Sequence, residues 1–142
     1  MVLLVPLAAS IQLRETVLNV AIELGDGLNQ DLYVVHLVET DTAASADRDV
    51  RDDIRAQLSD TAVSATVALE HVGHWSPRPA ARVGRDVLEL ARDVQVTHIV
   101  MGHTSKGVLA ELAHGSTVEA VIDEAPVPVT VVSEHVARDR ER

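Results

Sequence analysis

The chain contains no cysteine, which excludes disulfides and thiolate chemistry and fits a reducing cytoplasm. Phenylalanine is also missing, and alanine and valine fill the apolar share. Lys106 is the single lysine, so eleven of the 12 basic residues are arginines. No apolar run reaches the roughly 18 residues that a membrane-spanning helix needs. The opening MVLLVPLAAS lacks a basic n-region and carries Pro6, and is not read as a signal peptide. Positive charge is scarce: 22 acidic residues face 12 basic ones, a net charge of −10. Free nucleic acid is therefore a poor partner. A cytoplasmic location, with neither nucleic acid nor membrane as partner, is the expectation.

What is present fits a single domain, since 142 residues suffice to bury a core. An acidic, lysine-poor surface suits a salt-rich cytoplasm, where salt screens most charge effects. An ordinary acidic protein from a GC-rich genome has the same composition.

Strand-length apolar runs alternate with helical patterns. VLLVPL (2–7) is continuous, as in a strand buried on both faces. Leu13, Val17, Val20, Ala21 and Leu24 form a helical stripe, with Ser10 placed to cap its start and Gly25 and Gly27 to end it. LYVVHLV (32–38) is a second strand, and the polar 39–49 reads as a solvated loop. Val50, Ile54, Leu58 and Ala62 mark a second helix, and TVALEHV (66–72) a third strand. After the turn-rich GHWSPRP (73–79), Val83, Val87, Leu90, Ala91 and Val94 repeat the first stripe, and THIVM (97–101) is a fourth strand. Val118, Val121, Ile122 and Ala125 make a last helix that stops at Pro126, and PVTVV (128–132) is a fifth strand. No linker or internal repeat interrupts the series. Such alternation implies one open, doubly wound α/β domain whose five-stranded parallel sheet carries helices on both faces. The domain is expected over 1–136, with a charged tail at 137–142. Ligands of such sheets bind beyond the carboxyl ends of strands, where the strand order reverses.

The stretch GHTSKGVLAELAHGST (102–117) follows such a strand end. Gly102 lacks a Cβ, which permits a sharp turn or close approach of a ligand. The spacing from Gly102 to Gly107 imitates the start of a P-loop. Val108 and Leu109 occupy the places of its Lys and Ser/Thr, so Walker chemistry is excluded. A Gly-x-Gly-x-x-Gly fingerprint is absent. Ser116 followed by Glu119 matches a capping box opening the last helix, worth about 1 kcal/mol. A helix start with free amides and hydroxyls also attracts phosphate, although cap and ligand compete for the same donors.

In GHTSKGVLAELAHGST, in IVMG (99–102), in VLELA (87–91), in the closing PVTVV and in the proline of the first strand, the chain resembles the universal stress protein family, over roughly 1–133. Nucleotide-binding members carry Gly-x-x-Gly-x9-Gly-Ser/Thr after the fourth strand; here the first glycine falls on Gly102, the middle one on Ser105 and the last on Gly115. The resemblance implies a Rossmann-like sheet and a stress-response sensor or switch that binds ATP, with or without Mg2+. Gly102, Gly115, Ser116 and Thr117 would then contact phosphate and ribose, with Ser105 able to donate its hydroxyl. Lys106 would be a nearby charge, and Pro6 and Met101 would wall the base side. Two departures weigh against it. Ser105 adds a Cβ that penalises positive φ. Ala8 stands where ATP-binding members have an acidic residue, a loss of about 1.5–3 kcal/mol for a charge-assisted bond.

No catalytic residue is assigned. No serine lies in a nucleophile elbow, no general base stands out, and slow ATP hydrolysis ranks last. No metal is assigned either: His71 and His74 are three apart, but a third ligand is not signalled. His103 and His114 flank the glycine loop and read as steering groups or as plain surface residues. Trp75 covers a cleft or anchors a loop. The family resemblance and an unpaired edge strand together imply a homodimer through the last strand, Val129, Thr130, Val131 and Val132. The alternative function is a nucleotide-free homodimeric interaction module working through unidentified protein partners.

Overall fold

An all-parallel sheet must be covered on both faces, and its strands are correspondingly apolar on both. The computed structural model describes residues 1–7, 11–39, 44–59, 61–72, 87–92, 95–103 and 117–133. In chain order these form β1 (Val2–Leu7), α1 (Ile11–Leu28), β2 (Asp31–Glu39), α2 (Ala44–Ser59), β3 (Ala65–Val72), a helical stretch at 87–91, β4 (Val96–His103), α3 (Thr117–Glu124) and β5 (Val129–Ser133). The strands make one five-stranded sheet in the order β3-β2-β1-β4-β5, and every pairing is parallel. The expected doubly wound α/β fold is the one observed.

Alternation along β1 splits the core in two. Leu3, Val5 and Leu7 face α1 and α2, packing with Leu13, Val17, Leu18, Ala21, Ile54 and Leu58. Leu4 faces the other way, with Val35, Ile99, Met101, the helical Val87, Leu88 and Ala91, and Val121 of α3. Each fully buried Leu or Val contributes about 1.5–3 kcal/mol, so both layers hold the central strand in place.

Four boundaries differ from expectation. α1 runs past Gly25 and Gly27 to Leu28, because the stop is made by Asn29 at φ 54°. The Gln30 amide donates to the Gly25 carbonyl (2.9 Å) and the Asn29 amide to that of Asp26 (3.3 Å), the paired bonds of a Schellman cap. α2 begins at Ala44, inside the segment read as loop. A polar helical turn carries no stripe to read, yet alanine and arginine are good helix formers. That helix also ends before Ala62: the Ser59 hydroxyl donates to the Ala56 carbonyl (2.8 Å) and that of Thr61 to the Leu58 carbonyl (2.9 Å), satisfying carbonyls left open at a helix end. β4 continues through Gly102 to His103, so Gly102 lies within the strand, not after it. The stops of α3 before Pro126 and of β1 at Leu7 agree with the sequence. The tail at 137–142 lies outside the described residues.

Candidate functional site

The chain leaves β1 for β2 on one side and returns from β3 to β4 on the other, so the strand order reverses between β1 and β4. Their pairing runs Val2↔Val96, Leu3↔His98, Leu4↔Ile99, with an irregularity after Val2. Among the described residues it goes no further. β1 nevertheless continues beside β2 to Leu7↔His36, and β4 beside β5 to His103↔Ser133. The two strands at the reversal are thus joined only in their amino-terminal halves. Past Leu4 and Ile99 no ladder bonds tie them, which is the arrangement that lets a crevice open at the carboxyl end of such a sheet.

Pro6, Met101 and Gly102 all belong to this unjoined stretch. Pro6 is buried and in register with Val35 of β2. Met101 is 4% exposed and its side chain packs with Leu4, Val35 and Val121, so it belongs to the core beneath that unjoined end. Gly102 turns toward α1, where an added Cβ would lie 3.0 Å from Leu13 Cδ2 and Val17 Cγ2. Its bareness serves the close packing of helix on strand, a need that glycine meets without any ligand. His103, half-buried, ends the strand.

Thr117 is the first residue of α3, where a cap at Ser116 would put it. The helix is held against the sheet by Val121, which is fully buried beside Met101. Ser105, Lys106, Gly115 and Ser116 lie outside the described residues, as do Ala8, His74, Trp75 and His114. His71 falls in β3. Among the described residues no group of three His, Cys, Asp or Glu is placed to hold a metal ion. No helix among them is long and apolar enough to cross a membrane.

A second recess, between α1 and α2, is lined by Arg14, Asn19, Asp53 and Gln57, none of which stood out in the sequence. The available signal was Arg14 itself, an arginine three residues before Val17 and four before Leu18, and so on the buried stripe.

The family model described as "Universal stress protein family" matches residues 1–133. Among curated proteins, no sequence matches significantly. Solved structures share the fold. A universal stress protein from Archaeoglobus fulgidus superposes with a TM-score of 0.69 at 21% identity, covering 93% of this chain and 98% of its own. A structure of the universal stress protein from Archaeoglobus fulgidus in complex with dAMP gives 0.66 at 20% identity, covering 93% and 97%. A universal stress protein in complex with cAMP gives 0.68 at 13% identity, covering 93% and 95%.

Proposed function

Because this chain belongs to the universal stress protein family, we propose that it binds an adenine nucleotide, ATP by preference, at the carboxyl end of its sheet, and works as a stress-response sensor or switch. The observation that carries this reading is the unjoined end of β1 and β4 at the strand-order reversal. Gly102 lies in that stretch, and the sequence Gly115-Ser116 leads directly into α3 at Thr117. Amides at a helix start favour phosphate. The dAMP and cAMP complexes of two proteins of the same fold support adenine nucleotides as the class to test. The reading assigns no hydrolysis.

The test begins with protein purified without added nucleotide, then denatured, and its supernatant analysed by mass spectrometry. In parallel, MgATP is titrated during thermal melting. Ligand at a hundredfold excess over Kd stabilises by about 2.7 kcal/mol, on the order of 5–10 °C for a chain of this size. Released adenine nucleotide or such a shift supports the reading. The absence of both ends it.

A second reading, a nucleotide-free homodimer acting through protein partners, is favoured by a separate observation. Val131 on the edge strand β5 is 38% exposed and Ile122 on α3 is 54% exposed. Ala8 and Ser105 point the same way, since both depart from the nucleotide-binding pattern. Under this reading the copies pair through Val129–Val132.

A further inference from the structure

We draw no further inference here: the strongest candidate, the exposed apolar side chains of Ile122 on α3 and Val131 on the edge strand β5, already belongs to the homodimer reading above, and nothing in the structure shows what else covers it.

Discussion

Leu13 rests on the bare backbone of Gly102: a Cβ at that glycine would stand 3.0 Å from both Leu13 Cγ and Cδ2, and equally close to Val17 Cγ2. Leu13 and Val17 are 3% and 1% exposed, so neither has open space to retreat into. The glycine that opens the family's loop pattern is also the place where α1 comes closest to β4. Packing and candidate site share one residue.

Gly102→Ala should therefore destabilise the fold. Overpacking costs about 1–3 kcal/mol, offset by about 0.4–1 kcal/mol from the restricted unfolded chain, leaving a net loss of about 1–2 kcal/mol. Urea denaturation measures it. In a double-mutant cycle, Leu13→Ala should make room and reduce the added cost of Gly102→Ala. An alanine variant as stable as the parent would mean that the helix and strand are not in tight contact there.

The sheet and its covering were legible because continuous apolar runs and helical stripes leave direct traces. VLLVPL predicted β1 residue for residue, and Leu13, Val17 and Ala21 marked the buried side of α1. What escaped was of other kinds. The polar first turns of α2 carry no apolar stripe in the sequence. The end of α1 is set by the left-handed backbone of Asn29, while the more obvious Gly25 and Gly27 stay within the helix. Gly25 is occupied elsewhere, since a Cβ on it would meet the Gln30 carbonyl oxygen at 3.0 Å and Val63 Cγ1 at 3.1 Å. For the candidate site, the apolar THIVM pointed to a strand and Ser116 with Glu119 to a helix start, and β4 and α3 are found there. The packing role of Gly102 was not legible, because it depends on a helix that lies nearly ninety residues away in sequence.

Asn29 carries its own test. For a residue with a Cβ and no local hydrogen-bonding side chain, the left-handed region costs about 1–2 kcal/mol. Asn29→Ala should lose about 1 kcal/mol, whereas Asn29→Gly should be neutral or mildly stabilising, because glycine is the usual occupant of this cap. Thermal melts of the two variants give the comparison. Equal loss from both would show that the asparagine side chain, not its backbone, matters.

Val131 tests the edge. Its neighbour across the ladder is Met101, in the core, but Val131 itself is 38% exposed on the outermost strand. An apolar, unpaired edge invites another strand. Val131→Glu should leave each copy folded, since a partly exposed position tolerates charge, yet put like charges together across any pairing of two β5 strands. Size-exclusion chromatography with light scattering should then move from dimer to monomer. A parent that is already monomeric, or a variant that remains dimeric, rules out pairing through Val129–Val132.

The two departures from the nucleotide-binding pattern can be reversed, singly and together. Ala8→Asp would supply the missing acidic acceptor beyond β1, and a charge-assisted hydrogen bond of about 1.5–3 kcal/mol corresponds to about tenfold to somewhat over a hundredfold in affinity. Ser105→Gly would restore the glycine of the family pattern, which tolerates a positive φ, a smaller gain. If ATP lies at the ends of β1 and β4, both changes should tighten it, additively within error, in calorimetric titrations with MgATP. A parent that binds ATP with no gain from Ala8→Asp would place the nucleoside elsewhere. A doubly restored chain that still ignores ATP would remove the nucleotide reading altogether.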